Sequence, residues 1–327
     1  MAASDLQHNL DRRRKLALGT LGGLLAAVGI IVALFATGTI KLPSQQAGND
    51  APASENAHAI ETQSGTPANN DIVAVLDTSS GTLAFMTGLA KNSSSTYSVI
   101  NTWWNADPGA AFTTSRLPGW TLYRDQISRV IFESAVAPTS TAYWFAYLDK
   151  LTSIERMNTN LDTRDTISMD GMFLNCSQLP DSSSPNGLDV SGFAMNKVRT
   201  AKAMFSGCSA LSVLDLSNWS NAGNDTAKIA DWGSMFAQCQ MLYDIQGLDK
   251  LDTTSATNMS YLFADCSLLS TINLYDWDTT QVANARCMFY RCAALQTLRL
   301  GPKSGNLNTG AGVLDGCYIP PATSVIA

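Results

Sequence analysis

The sequence predicts an α/β solenoid, a stack of units that each contain one short helix and one short strand. Three observations predict this fold. A Phe-x-x-Cys motif recurs at steps of 26 to 32 residues, the apolar residues up to each cysteine follow helical spacing, and the leucines after it follow strand alternation. A unit this short cannot bury both its helix face and its strand face alone, so neighbouring units must stack into one core.

Composition limits the functions that the chain can have. The 327 residues are 45% hydrophobic and 15% charged, which excludes wholesale disorder. The net charge of -6 argues against nucleic acid as a partner, because phosphate binding needs a clustered positive field. The only histidines, His8 and His58, lie before the predicted folded part, so Ser-His-Asp, Cys-His and most zinc-dependent catalysis are not expected. We expect no enzyme, no cofactor, no catalytic residue and no metal site.

The N-terminal segments predict a membrane-attached protein. Residues 1–15 form a basic cytoplasmic tail, and residues 16–37 form a transmembrane signal anchor whose apolar run spans about 31 Å as a helix. The positive charges lie before this segment, which places the rest of the chain outside the cell. Cleavage after the segment, which would give a secreted protein, stays an alternative. Residues 38–70 are small and polar and are predicted to be a disordered stalk.

Residues 71–142 are predicted to form a strand-rich N-terminal capping unit, because short apolar runs such as IVAVL, TLAF and RVIF alternate with turn residues. Residues 143–300 are predicted to form six repeats. The phenylalanines of these repeats define coils 1 to 6, in order: Phe145, Phe173, Phe205, Phe236, Phe263 and Phe289. In coil 1 Leu148 replaces the cysteine, which indicates a buried slot that accepts a small hydrophobe.

Each coil has two predicted halves. Met259, Leu262, Phe263 and Cys266 of coil 5 fall at i, i+3, i+4 and i+7, and coils 2, 3, 4 and 6 repeat this spacing, which is one face of a two-turn helix. A Leu-x-x-Leu-x-Leu rhythm follows in coils 3, 5 and 6 and predicts a strand, as in leucine-rich repeats. Residues 301–327 are a C-terminal cap or tail, with a short cap built on Val313, Leu314 and Tyr318 as the favoured alternative.

Cysteines and aromatic residues of the repeat are predicted to be core residues. Inter-coil disulfides are disfavoured because stacked helices lie about 8 to 10 Å apart, whereas bridged cysteines need Cα atoms within about 7 Å. The pairing of Cys287 and Cys317 stays open. An aromatic residue follows the strand, at Phe193, Trp219 and Trp277, and packing is favoured over a ligand platform for these three.

The segments MFSGCSALSVLDLSNWS, YLFADCSLLSTINLYDWDTT and MFYRCAALQTLRL resemble the BspA-type leucine-rich repeat surface proteins, whose repeat region is also catalogued as a domain of unknown function. The resemblance is strong over 143–300 and weaker over 71–142. It implies a bacterial cell-surface protein, with relatives that act in adhesion to ligands of a host or a neighbouring cell. It carries no catalytic residues.

The predicted function is therefore binding of an extracellular protein or glycan through the solenoid surface. The candidate ligand-binding residues are those that point outward from the strands, where stacking is expected to align them from coil to coil into one continuous surface: Asp189, Asp215, Asn273 and Arg299. One alternative is a structural spacer of the cell envelope without a specific ligand. Another is a carboxylate-based, glycan-acting enzyme, for which Glu133 and Glu155 are the glutamates beyond the stalk.

Overall fold

The computed structural model describes residues 72–87, 103–105, 117–219, 229–308 and 324–326. The predicted cytoplasmic tail, the predicted membrane segment 16–37 and the stalk lie outside these residues, as do His8, His58 and the proposed cap residues Val313, Leu314 and Tyr318. Within the described part of the chain no helix is long and apolar enough to cross a membrane.

The N-terminal unit contributes a sheet that continues into coil 1. Its strands are β1 (Ile72–Asp77), β2 (Thr82–Thr87), β3 (Trp103–Asn105) and β4 (Arg129–Phe132). Strand β5 (Ser153–Glu155) belongs to coil 1, and the sheet order is β3-β1-β2-β4-β5. Strand β1 pairs antiparallel with β2 and β3, whereas β2–β4 and β4–β5 are parallel. The change to parallel pairing at β4 starts the stacking that the coils continue.

The later coils carry two further sheets. Strands β6 (Val213–Asp215) and β7 (Asp244–Gln246) form a parallel pair. Strands β8 (Thr271–Leu274), β9 (Thr297–Leu300) and β10 (Ser324–Ile326) form a parallel sheet in the order β10-β9-β8. Strand β10 thus extends the sheet of coil 6 by one strand. Short helical segments complete the described elements: the 3₁₀ segments Gly119–Gln126, Ser217–Trp219 and Leu248–Lys250, and the helices α1 (Met157–Asn160) and α2 (Gly305–Asn308).

The predicted short helix of each coil is not formed, and this half of the coil is a chain of β-turns. In coil 5 the N–H groups of Leu262, Ala264 and Cys266 donate to the carbonyl three residues earlier. The alternate N–H groups of Met259, Tyr261, Phe263 and Asp265 donate to carbonyls of coil 6. An α-helix would use all of these donors for internal i→i−4 bonds and would leave none for the next coil.

This alternation recurs along the repeat: each of the six coils forms the three internal bonds, and in coils 1 to 5 four further backbone hydrogen bonds of the turn segment join the coil to the next one. It requires left-handed backbone two residues before and two residues after each phenylalanine. All twelve of these positions have positive φ, and only two of them are glycine: Tyr143, Tyr147, Gly171, Asn175, Ala203, Gly207, Ser234, Gln238, Tyr261, Asp265, Cys287 and Arg291.

A second ladder runs along the start of the turn segments. It consists of single-residue parallel bridges between the residues five positions before each phenylalanine. These residues are all polar: Ser140, Ser168, Thr200, Asp231, Asn258 and Asn284. The side-chain oxygens of several of them accept the N–H two residues later, as Asp231 does from Gly233 at 2.9 Å. Polar residues at this position therefore start the turn segment, as an N-cap would start a helix.

One hydrophobic core runs from Ile72 to Leu307 and contains the motif residues of all six coils. The six phenylalanines are at most 1% exposed, and rings of successive coils lie 5.4 to 6.0 Å apart. At the N-terminal end Phe85 of β2 stacks on Trp144 with a centroid distance of 4.7 Å. The N-terminal unit therefore covers the phenylalanine column where it begins.

The repeat cysteines are buried free thiols, as the sequence predicts. Each thiol also donates to the phenylalanine carbonyl of the preceding coil, for example from Cys239 Sγ to Phe205 O at 3.1 Å and from Cys266 Sγ to Phe236 O at 3.0 Å. Burial raises the pKa of Cys239 to about 12. The cysteine position of the motif therefore favours a side chain that is both a small hydrophobic group and a weak hydrogen-bond donor. Leu148 fits coil 1 because no earlier Phe-x-x-Cys coil exists in the described residues to supply such a carbonyl.

We predict that Gly171→Ala lowers the free energy of unfolding by about 2 kcal/mol. The added Cβ would lie 2.4 Å from Cε1 of the Tyr143 ring, and the backbone φ of +55° is already strained for alanine. Chemical denaturation of the two proteins checks this. The matched control is Gly305→Ala, whose Cβ would meet nothing within 4 Å and should leave the midpoint unchanged or slightly higher. An unchanged midpoint for Gly171→Ala would contradict the left-handed stacking.

We also predict that the repeat cysteines resist alkylation in the folded chain. All five thiols are buried away from the reagent, and burial also raises the pKa of Cys176, Cys208, Cys239 and Cys266, so that little thiolate forms at pH 8. The unfolded chain should react fully. Peptide mapping after iodoacetamide treatment, with and without guanidinium, measures this at Cys176, Cys208, Cys239, Cys266 and Cys292. An Ala283→Cys variant places a reference thiol at an exposed position. Labelling of the repeat cysteines at the rate of that reference would refute the buried ladder.

Candidate functional site

The outward-pointing strand residues form a row, the strand row, seven positions after the cysteine slot of each regular coil. Pairing of β6 with β7 places Asp215 beside Gln246, and pairing of β8 with β9 places Asn273 beside Arg299. Asp189 lies close enough for its charge to act on the carboxyl of Asp215. The structure thus brings the predicted residues together in two pairs. Gln246 was missed because the strand half of coil 4 lacks the leucine rhythm.

Three of the four predicted residues also hold the turn that follows their strand. The side-chain oxygens of Asp189, Asp215 and Asn273 accept the backbone N–H two residues later, at 3.0, 2.8 and 3.2 Å. Hydrogen bonds from Ser217 lower the pKa of Asp215 below its ordinary value. These three residues therefore have a structural role in closing the turn. A substitution that tests ligand binding must retain the side-chain oxygen that accepts this hydrogen bond.

Arg299 is exposed and forms a small patch with an aromatic neighbour. Its guanidinium carbon lies 4.4 Å from the centre of the Tyr275 ring, and Tyr275 is 40% exposed. A guanidinium over a ring face is a cation–π contact, which holds the long arginine side chain in one orientation. Tyr275 was not singled out in the sequence, because one exposed aromatic residue after a strand has no counterpart in the other coils.

The strand row is interrupted between β7 and β8, which belong to different sheets. An open space of about 310 Å³ separates them, the β7–β8 groove. Its floor contains Ile245, Leu248 and Ile272, each at most 9% exposed. Its lining residues are Tyr243, Asp244, Ile245, Leu248, Asp249, Leu269, Thr271, Ile272 and Asn273. The predicted continuous surface is therefore two short strand surfaces with a groove between them.

The aromatic residues after the strands are packing residues. Phe193, Trp219 and Trp277 are at most 3% exposed. The indole N–H of Trp219 donates to the carbonyl of Val190 at 3.0 Å, and that of Trp277 donates to the carbonyl of Leu248 at 2.8 Å. The preference for packing over a ligand platform is confirmed.

The two glutamates of the enzyme alternative are engaged in ion pairs. Arg129 binds Glu155 through two contacts, of 2.5 and 2.7 Å, and Arg156 lies 3.2 Å from Glu133. The hydrogen bonds from Arg129 lower the pKa of Glu155, whereas a general acid needs a raised one. Within the described residues no three His, Cys, Asp or Glu side chains are grouped so that they could hold a metal ion. Glu133 and Glu155 are therefore each held by an arginine.

A buried carboxylate supports the strand row at β6. Asp181 is 5% exposed and accepts hydrogen bonds from the hydroxyl of Ser212 and from the N–H of Val213, the first residue of β6. Its other oxygen accepts from the N–H of Ser183 at 3.0 Å. Burial alone would raise the pKa of Asp181, but these hydrogen bonds lower it to about 2. Asp181 thus replaces a strand partner that the lengthened coil 2 does not supply.

Comparison with known proteins identifies the repeat. Residues 145–224 and 220–300 each match the family described as "Mycoplasma protein of unknown function, DUF285". Each match spans three of the six phenylalanine motifs. No curated protein and no solved structure matches the chain. The two matches together cover residues 145–300 and are consistent with a repeat-containing surface protein family.

We predict that Asp181→Asn lowers the free energy of unfolding by about 2 kcal/mol at pH 7 and that this difference disappears on acidification. A carboxyl whose folded pKa of about 2 lies below its ordinary 3.8 stabilises the fold above pH 4 and loses this contribution as the pH falls toward 2. Urea denaturation between pH 2 and 7 measures the effect. Asp276→Asn, at an exposed position, should show almost no difference at any pH. A difference for Asp181→Asn that stays constant with pH would contradict the assignment.

Proposed function

We propose that this protein is a cell-surface adhesin of the BspA-like kind, whose stack of coils binds an extracellular protein or glycan through the strand row and the β7–β8 groove. In this proposal residues 16–37 hold the protein in a bacterial membrane in a single pass, and the repeats lie outside the cell. The protein is not an enzyme. The observation that carries the proposal is the strand row, in which polar side chains of neighbouring coils lie side by side, Asp215 beside Gln246 and Asn273 beside Arg299.

Two physical arguments support binding over catalysis. Stacked coils repeat a side-chain position at regular spacing, which suits a long ligand better than a small substrate. The recurring residues of the motif are buried packing residues, so the variable outward positions are those left to meet a partner. Asp215, Asn273 and Arg299 differ in charge from coil to coil, and charge complementarity of that kind gives specificity.

Binding of the labelled full chain to matrix proteins, mucins and whole cells tests the proposal. A triple variant, Asp215→Asn, Asn273→Asp and Arg299→Glu, changes the charge pattern and keeps the two oxygens that close the turns. We expect saturable binding that falls at least ten-fold in this variant, from three altered charges at roughly 0.5 to 1 kcal/mol each. The matched control, Lys202→Glu with Arg286→Glu, changes two exposed charges on the turn segments. It should keep full binding.

The outcomes separate the alternatives. Saturable binding that the triple variant retains would place the ligand site elsewhere and overturn the assignment to the strand row. Absence of saturable binding to every target would favour the structural spacer. Turnover on a panel of glycans would favour the carboxylate enzyme.

A further inference from the structure

The β7–β8 groove exists because coil 4 turns away from its sheet one residue early. At the position where coils 3, 5 and 6 bury Leu216, Leu274 and Leu300, coil 4 has Gly247. Gly247 has a φ of +75°, and a Cβ there would lie 2.5 Å from the Cα of Ser217. A leucine cannot occupy this position without moving the backbone.

The early turn sends Leu248 into the core in place of the missing leucine. Leu248 is 7% exposed, and its carbonyl accepts the indole N–H of Trp277. Coil 5 is therefore fixed against the 3₁₀ segment Leu248–Lys250 and not against strand β7. Core packing continues across this junction, since the rings of Phe236 and Phe263 stack at 5.5 Å. The separation is confined to the strand side.

The facing edges of β7 and β8 are not joined by a backbone ladder in the described part of the chain. Strand β7 pairs with β6, and β8 pairs with β9, on the edges turned away from the groove. An edge with uncovered N–H and C=O groups is a template for an added extended segment. The groove thus offers backbone hydrogen bonds along its walls and apolar side chains on its floor.

The groove is acidic. Its ionisable carboxyl side chains are Asp244 and Asp249, and none of its described lining residues is Lys, Arg or His. No ion pair forms at either aspartate within the described residues. Tyr243, 57% exposed, stands at the rim and offers an aromatic face. Carboxylates on the wall and an aromatic ring at the rim favour a cationic side chain on the occupant.

We propose that the β7–β8 groove binds an extended, basic peptide segment of a partner protein, which pairs with the uncovered strand edges. This inference rests on the proposed binding function and names the ligand class at one part of the same surface. Side chains of the segment face the apolar floor and the solvent side in turn, because successive side chains of a strand point to opposite faces. Those on the solvent side lie on the same face as the exposed Asp244 of β7.

Fluorescence anisotropy of the full chain with labelled peptides tests this ligand class. The probe is an eight-residue peptide of alternating valine and lysine. Its two controls are the valine–glutamate peptide, which reverses the charge, and a valine–lysine peptide with alternate backbone N-methyl groups, which lacks donors for strand pairing. We expect saturable binding of the probe at low salt and at least ten-fold weaker binding of both controls.

Two pairs of protein variants locate the binding in the groove. Asp244→Asn with Asp249→Asn should weaken probe binding about five-fold, whereas Asp276→Asn, an exposed aspartate outside the groove lining, should leave it unchanged. Thr271→Tyr fills the groove from β8 and should weaken binding at least ten-fold. Its matched control is Thr297→Tyr, at the paired position on β9 and outside the groove. Denaturation midpoints of all four variants check that they fold.

Equal binding of the N-methylated peptide, or binding that Thr271→Tyr retains, would overturn the proposal. Loss of binding in Asp276→Asn to the same extent as in the groove variants would show general attraction to an acidic protein, and would also overturn it. Adhesion to cells that survives the groove variants but falls in Asp215→Asn with Arg299→Glu, two residues outside the groove lining, would refute the groove as the peptide site while leaving the proposed function intact.

Discussion

The alternation of backbone hydrogen bonds in the turn segments is the constraint on which the rest of the structure depends. Each coil uses three N–H groups of this segment internally, and coils 1 to 5 each donate four more to the next coil. The cost is two left-handed residues per coil, at roughly 1 kcal/mol each for residues other than glycine, against four hydrogen bonds worth about 1 kcal/mol each. The bonds therefore outweigh the strain, and the stacked phenylalanines and thiols follow from the fixed coil spacing that they impose.

That spacing explains why cysteine recurs in the motif. A phenylalanine carbonyl that already accepts the N–H of its own cysteine slot has a second lone pair facing the next coil, where solvent is excluded. A thiol satisfies this lone pair weakly and still packs as a hydrophobe, whereas an aliphatic residue would only pack. Coil 1 has no preceding carbonyl of this kind in the described residues, and there Leu148 stands in the slot.

The sequence predicted the buried column of phenylalanines and cysteines and the packing role of Trp219 and Trp277, because each rests on repetition of apolar residues. It did not predict the turn segments. The i, i+3, i+4 and i+7 spacing places Met259, Leu262, Phe263 and Cys266 on one side in a helix, and a chain of turns also turns those four inward. Glycines at the left-handed positions would have indicated turns in place of a helix, but ten of the twelve positions carry residues other than glycine. The backbone conformation is imposed by the neighbouring coil and not by local preference.

The candidate site was less predictable from the sequence than the core, because the β7–β8 groove lies at coil 4, where the repeat pattern is broken. The regular coils predicted a continuous row, and the structure divides that row at coil 4, whose strand half departs from the leucine rhythm. Gly247 both breaks the pattern and creates the groove, since the turn that it allows removes a strand partner from β8. A regular solenoid offers the same backbone pairing at every coil and leaves no edge open between its ends. An irregular coil opens one at a defined place, where Asp244 and Tyr243 can give it a chemical preference.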